Sequence, residues 1–576
     1  MNITSLLNTL AAMVAQFYPQ QMDPSLKPKN SAGCLPCRKT VYDFIVVGAG
    51  TAGCVLANRL SANQKWNVLL IEAGGDEDYI TDVPAMSSIL TRSEYDWNYT
   101  TVRQEHACYN SGGICEYPAG HVMGGSSAIN GMDYVRGNRQ DYDEWAALGN
   151  QGWGYDAILP YFLKAENTTI PELTKDLRYH SNKGAQTVAH TRFRTQISED
   201  FVRAAVESGM QQVDYNGATQ TGIAQLQFTM DGRTRCSTSK AYLDPIRSRP
   251  NLHIFKNTVV RKVLINLQRR AKGVVCYTKG EEYNVFAKKE VILSAGVLNS
   301  PKLLMLSGIG PKQHLQLMKI PVKASLPVGE NFIDHSGVTL HFRANKTALN
   351  CCAEYTVDTI LQYARDRQGA LTSPPQQALA FLNLPGKSAP EVVLFMGVIN
   401  GQFTGQDQGP LVFVYVGNLK PKSKGSVKLS SNDYLDEPLV DPNYFGLQSD
   451  MAAVRYGIRQ VIKFMAAPAM AKYSLQRITG AASVCEPSHA LSDDYLNCFI
   501  RYNAIAGYHG VGTVRMGSAS EKSSVVDSQL RVIGVGGLRV ADASIMPDIP
   551  RGNTMAPVVM IAEKAADMVL ASYMQN

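Results

Sequence analysis

The stretch YDFIVVGAGTAGCVLANRL, residues 42–60, limits this chain more than any other. Phe44 to Val47 form an unbroken apolar run, as a strand buried on both faces requires. Gly48, Gly50 and Gly53 follow at GxGxxG spacing. The first glycine permits a tight turn, the second lets backbone N–H groups approach a pyrophosphate, and the third lets a helix pack close to the sheet. Val55, Leu56 and Leu60 then give a helical apolar face. A second strand within NVLLIEAGG (67–75) ends at Glu72, 19 residues after Gly53, where an acid that reads a ribose belongs. Strand, glycines, helix, strand and acid together predict a dinucleotide-binding unit. They do not distinguish NAD from FAD.

Two further glycine-punctuated segments follow. Gly124-Gly125-Ser126-Ser127 offers consecutive backbone N–H groups and hydroxyls, a second cradle for phosphate or a flavin. VILSAGVLNSPKLLMLSGIGP (291–311) reads as a strand, a tight turn at Gly296, and a helix from about Ser300 with Pro301 in its first turn. Near the C-terminus, Leu538 to Ala541 predict a short strand with Asp542 at its exit, where an acid can reach a cofactor. A proline-rich crossing (545–553) leads to a helix from about Thr554, with Val558, Ile561, Ala562, Ala565, Met568 and Val569 on one face. Its N-terminus carries partial positive charge, which would stabilise the negative charge of a reduced flavin ring if one lay there. Asn553 stands at a capping position.

The stretch GYHGVGTVRMG (507–517) sets His509 among glycines, with no partner at metal-ligand or triad spacing, so no metal site is expected. Composition narrows the setting. A net charge of +7 on 56 basic and 49 acidic side chains, without basic runs or interleaved aromatics, excludes nucleic-acid binding as the expected role. Beyond the N-terminus no apolar run is long enough to span a membrane. The first 21 residues hold an apolar stretch that reads as a secretory signal, although it lacks a basic n-region and a clean cleavage site; a short buried or frayed helix is the alternative. Acceptor triplets at Asn98, Asn167 and Asn345 and eleven cysteines favour export and glycosylation. Cys108/Cys115 and Cys485/Cys498 are close enough for local disulfides. Cys34 and Cys37 form a CxxC that reads as a local bridge or free thiols, and Cys54 is expected to be unpaired.

The segments GAGTAG, GGSSAINGMDYVRG, SAGVLNSPKLLMLSGIG, VGENFIDH (328–335), YHGVGTVRMG and LRVADASIMPDIPRGNTMAP occur in an order that resembles the glucose–methanol–choline (GMC) flavoprotein oxidoreductases, most closely their arthropod glucose-dehydrogenase-like branch. The resemblance implies an α/β (α+β overall) fold: a Rossmann-like FAD-binding domain and a substrate domain built on an antiparallel sheet. The expected divisions are an N-terminal extension (1–40), a mainly FAD-binding region (41–336), an irregular substrate-side region (337–419), and a C-terminal region (420–566). Within the last, 500–570 returns to the FAD domain with the catalytic residues. Residues 409–445 read as antiparallel strands with turns at Gly417-Asn418, Lys424-Gly425 and Ser431-Asn432. Residues 345–400 are expected to be irregular loops that set substrate choice.

By the same resemblance, FAD lies with its diphosphate over Gly48, Gly50, Thr51, Ala52 and Gly53, and its ribose at Glu72 and Ala73. Gly125, Ser126, Asn130, Gly131, Met132 and Asp133 lie against the flavin, and Val260 meets the adenine through its backbone. Ala295, Asp542, Ala543, Asn553 and Thr554 complete the shell. His509 is the implied base and Asn553 its partner. The sequence departs from the family at Ala119 and His121, near the flavin entrance, at Gly510, where proline is frequent, and at Val514, where cysteine is. The implied reaction is oxidation of an alcohol to a carbonyl or lactone by hydride transfer, with electrons passed to oxygen or a quinone. A sugar, an ecdysteroid, an aromatic alcohol or a cyanohydrin would each suit that chemistry. The non-enzyme alternative is a catalytically silent flavin binder.

Overall fold

The computed structural model describes residues 3–344, 356–400, 410–478, 484–485 and 491–574. Two seven-stranded sheets carry the architecture. The first is ordered around the long strand Glu281–Leu293. Its first half alternates exposed and buried residues and pairs antiparallel with Ala271–Thr278. Its last four residues are continuously buried, because Val41–Val47 and Leu538–Val540 flank them in parallel. The burial pattern therefore changes where the pairing changes, as expected when a strand passes from one covered face to two. Val68–Ile71 and Leu252–Phe255 extend the parallel part.

The helix Thr51–Ser61 rests on this sheet, and the last helix, Met555–Met574, packs against it. The buried Glu563 on that last helix accepts two guanidinium N–H groups of Arg59, from Nη2 at 2.6 Å and Nε at 2.8 Å. The helix after the third glycine segment spans Gly296–Leu306, starting four residues before the expected Ser300. Asp542 is the reason: its carboxylate accepts the Gly296 N–H at 2.9 Å, a cap supplied from a distant part of the chain. Pro301 consequently lies inside the helix. It cannot donate to the Val297 carbonyl, and the Thr513 hydroxyl does so instead at 2.7 Å.

The second sheet is antiparallel throughout and runs Gln476–Ile478, Ser336–Arg343, Pro410–Asn418, Val392–Asn400, Gln376–Leu382, Gly222–Gln225, with Ala504–Ala506 added beside Ser336–Arg343. The expectation of irregular structure over 345–400 is corrected here. The described part holds a helix, Val357–Asp366, and two central strands of the sheet. Within 409–445, only Pro410–Asn418 joins the sheet, while Ser426–Lys428 and Leu439–Asp441 form a separate hairpin-like pair. The helix Gln448–Met465 covers the sheet through Met451, Val454, Ile458, Val461 and Met465, a helical face at three- and four-residue spacing.

Residues at the N-terminus form the helix Ile3–Phe17, which buries Leu10 and Val14 in a small cluster with Ile360 and Tyr363. Disulfides join Cys34–Cys37, Cys108–Cys115 and Cys485–Cys498, and Cys54 is free and buried. No helix among the described residues is long and apolar enough to cross a membrane.

Gly457 marks the closest approach of the covering helix to the sheet, since a Cβ there would come within 2.4 Å of Val416 and 2.7 Å of Val392. Gly457→Ile should destabilise the protein by about 1–3 kcal/mol through overpacking. Thermal unfolding monitored by circular dichroism should show the lowered midpoint.

Candidate active site

The first cradle forms where the parallel strands end. Gly48 has φ +96°, a conformation that side chains resist, and a Cβ there would meet the Ser294 carbonyl at 2.5 Å. Gly53 packs behind it, against the Gly48 carbonyl. Gly125 also has positive φ, +54°, and a Cβ on it would lie 2.6 Å from the Gly50 Cα. The two glycine loops therefore face each other backbone to backbone, leaving a slot with little side-chain bulk and many N–H groups.

Glu72 stands at the next strand end, buried, with its carboxylate accepting the Ala49 and Gly74 N–H groups at 2.8 and 2.9 Å. Burial pushes its acid up to about 7, against the lowering effect of those bonds. Asp542 acts similarly on the other flank. Besides the Gly296 N–H it accepts Ser300 and Ser544 hydroxyls, each at 2.5 Å. Burial again pushes its pKa up. Both acids thus brace the loops around the slot while lining it.

The crossing segment that ends at Asn553 is anchored from outside the slot. Arg551 pairs with the fully buried Asp141 and donates to the Pro390 carbonyl at 2.9 Å. Lys420 holds Asp548 at 2.9 Å on the same segment. Asn553 then projects its amide nitrogen to Nε2 of His509 at 3.1 Å and toward Asp133 at 3.4 Å. Its Oδ1 is buried without a partner among the described residues.

His509 sits on a loop held by the segment Phe332–Ser336. The Asp334 carboxylate accepts the His509 backbone N–H at 2.7 Å, and its other oxygen takes the Tyr444 hydroxyl. Gly507 donates to the His335 carbonyl at 2.7 Å, and Val511 to that of Ile333 at 2.8 Å. Between these ties Tyr508 adopts a left-handed φ of +60°, a strain of about 1–3 kcal/mol that the surrounding bonds sustain. Gly510 donates its N–H to the Tyr117 hydroxyl at 3.1 Å. A Cβ at 510 would come 2.2 Å from that hydroxyl, so this loop geometry has no room for the proline that relatives of the pattern carry. Nδ1 of His509 lies 3.1 Å from Nδ1 of His335. Burial pushes the His509 imidazole down to about 4, which leaves it neutral at physiological pH.

The two glycine loops, Glu72, Asp542, Asn553, Tyr117 and His509 line one cavity of about 670 Å³. Every residue expected at the site borders it except Gly53, which supports the slot from behind. Ala119 lines the cavity, whereas His121 lies against Trp97, ring centres 4.1 Å apart, and is not part of the wall. Sequence reasoning missed Tyr117, Asp334, His335 and Tyr444. VGENFIDH was the available signal for two of them, but nothing in it points to His509. It also missed an aromatic wall of Phe395, Tyr415 and Tyr508, in which the buried Tyr415 hydroxyl has no partner among the described residues.

Family models of the GMC oxidoreductases match residues 42–337 and 421–562. The chain belongs to the GMC oxidoreductase family. It is 37% identical over 545 residues to the FAD- and quinone-dependent glucose dehydrogenase of Drosophila melanogaster, covering 91% of this chain and 86% of that protein. It is 36% identical to the ecdysone oxidase of Bombyx mori, covering 92% of this chain and 82% of the relative. A solved formate oxidase variant from Aspergillus oryzae superposes with a TM-score of 0.84 at 26% identity, over 93% of this chain and 99% of the other. This GMC oxidoreductase is accordingly an FAD-dependent enzyme acting on alcohol donors. The cradle fits that cofactor: Gly48, Gly50 and Gly125 border the cavity, and the loops of the last two approach so closely that a Cβ on Gly125 would lie 2.6 Å from the Gly50 Cα.

Two variants test the site's construction. Gly125→Val should abolish flavin retention, read as loss of yellow absorbance in a protein that still unfolds cooperatively. Arg551→Ala leaves the buried Asp141 carboxylate with only Lys420, at 3.6 Å, and the backbone N–H groups of residues 138 and 551, and should cost about 1–3 kcal/mol. Denaturant titration should show that loss.

Proposed function

We propose that this enzyme oxidises an alcohol at its CH–OH carbon to a carbonyl or lactone, with His509 as the base and Asn553 orienting the same oxygen. The observation that supports this most is the contact of His509 Nε2 with the Asn553 amide at 3.1 Å, on the wall of the cavity that also holds the glycine cradle. A hydroxyl entering between them finds a neutral imidazole to accept its proton and an amide to hold its oxygen. FAD, when bound, supplies the acceptor for the hydride that leaves the carbon. The would-be cofactor contacts are Gly48 to Gly53, Glu72, Ala73, Gly125, Ser126, Asn130 to Asp133, Val260, Ala295, Asp542, Ala543 and Thr554. Two electrons leave the substrate as hydride and one proton moves to Nε2 of His509, so a neutral carbonyl compound departs. Oxygen or a quinone takes up the electrons in a second half-reaction.

A second reading concerns the substrate. The wall of Phe395, Tyr415 and Tyr508, with one unpartnered hydroxyl, favours an alcohol with an apolar body, such as an ecdysteroid or aromatic alcohol, over a sugar. A panel spanning these classes, assayed for both peroxide release and dye reduction, separates substrates and acceptors together. Three disulfides support export to an oxidising compartment. The packed first helix adds nothing to that case.

His509→Ala should slow anaerobic flavin reduction by about 10² to 10⁴-fold. Unchanged stopped-flow reduction would remove the base assignment. The protonated ring lacks the lone pair a base needs, so activity is lost as pH falls through the His509 pKa. With burial holding that pKa near 4, reduction should be flat from neutral pH down to about pH 6 and fall with a midpoint near 4. A midpoint at the ordinary histidine value would mean a solvated ring.

A further inference from the structure

His335 lies behind His509, outside the cavity wall, with 3% of its surface exposed. Its two ring nitrogens have different neighbours. Nε2 is 3.0 Å from the Leu419 carbonyl oxygen, which can only accept a hydrogen bond. Nε2 of His335 must therefore carry the proton. Burial beside the His509 ring pushes the His335 imidazole well below its ordinary value, so it is neutral and its Nδ1 is a bare lone pair. That lone pair faces Nδ1 of His509 at 3.1 Å. The bond forms only if Nδ1 of His509 holds the proton.

The other side of His509 agrees independently. Asn553 directs an amide N–H toward Nε2 of His509 and the same nitrogen toward the Asp133 carboxyl. Burial pushes the Asp133 acid up to about 7, and with that acid ionised, turning the amide over would set its oxygen against the Asp133 oxygen. The Asp133 carboxyl already accepts from the Gln376 amide at 3.0 Å, which fixes its orientation. His509 therefore stands between an acceptor at Nδ1 and a donor at Nε2, and both arrangements select one tautomer.

We propose that His335 is a positioning residue that sets the tautomer of His509, so that the Leu419 carbonyl, through His335, keeps Nε2 of His509 unprotonated and facing the substrate. This rests on the reading of His509 as the base. Neutral histidine in solution divides its proton between the two nitrogens, and the wrong form offers an N–H where the alcohol proton should arrive. A histidine base needs its tautomer chosen by a partner at the far nitrogen. Carboxylates commonly fill that place. Here a neutral imidazole held by a main-chain carbonyl fills it, which avoids a second buried charge next to the flavin slot.

The test uses the flavin-loaded full-length protein labelled with ¹⁵N-histidine. His509 is assigned by difference against a His509→Asn variant. Wild-type His509 should show a protonated Nδ1 and an unprotonated Nε2; a protonated Nε2 would overturn the proposal. His335→Leu removes the acceptor but keeps bulk. It should mix the two tautomers in the spectrum and lower saturated flavin reduction by about 10- to 100-fold, with the alcohol dissociation constant moved less than about twofold. His335→Asn places an amide oxygen near the position of Nδ1 and should restore reduction to within a few-fold of wild type. An undiminished rate in His335→Leu, or a His335→Asn no faster than it, would also overturn the proposal. Should the variants not fold, the wild-type spectrum still decides. If instead His509→Ala reduced its flavin normally while the spectrum was as expected, the base assignment would fall and the tautomer assignment would stand.

Discussion

The Asp334 carboxylate joins two segments 175 residues apart in the chain, and the placement of His509 follows from that bond. Asp334 lies in the short run before the strand Ser336–Arg343, so it is fixed by the antiparallel sheet that covers the substrate side. His509 lies on the loop leaving Ala504–Ala506, a strand paired to the same one. The backbone ties at Gly507 and Val511 make this loop an extension of the sheet rather than a free connection. A base on such a loop is held within the small tolerance that proton transfer requires. The left-handed Tyr508 is the local cost of bending the chain that sharply.

The cavity has two sources of order with different physics. On the cofactor side, glycines remove side chains so that two main-chain turns can approach. The acids there, Glu72 and Asp542, are occupied with backbone N–H groups, which brace the turns. On the substrate side, order comes from buried polar chains that end on main-chain atoms. Arg551 is fixed by Asp141, and Asn553 follows two residues later. His509 is bracketed by Asn553 and His335. In each chain a charged or polar group of low freedom determines the orientation of the next, and few polar atoms remain unmatched. Among the described residues, two that remain belong to residues of the wall, Asn553 and Tyr415.

The cofactor half was legible in the sequence because its signals are local. A buried strand, three glycines and an acid at fixed spacing encode one turn and its neighbours. The helix at Gly296 was misplaced by one turn because its cap, Asp542, is supplied by a residue far downstream. Residues 376–382 and 392–400 were expected to be irregular although they form central strands. Prolines and glycines around them dominate the local pattern, and their pairing depends on strands from elsewhere. His335 was invisible as a working residue for the same reason. Its importance lies in what faces each ring nitrogen, and neither neighbour is near it in sequence.

The central claim is that one folded loop presents a neutral base to an alcohol above a flavin cradle. Its most direct test is single-turnover, anaerobic flavin reduction by an oxidisable alcohol and by the same alcohol deuterated at the carbinol carbon. The account predicts that the alcohol bleaches the flavin and that the deuterated form does so more slowly, since the C–H bond breaks in that step. A protein whose bound flavin is bleached by no alcohol of any class, or is bleached at the same rate by both isotopologues, would contradict it.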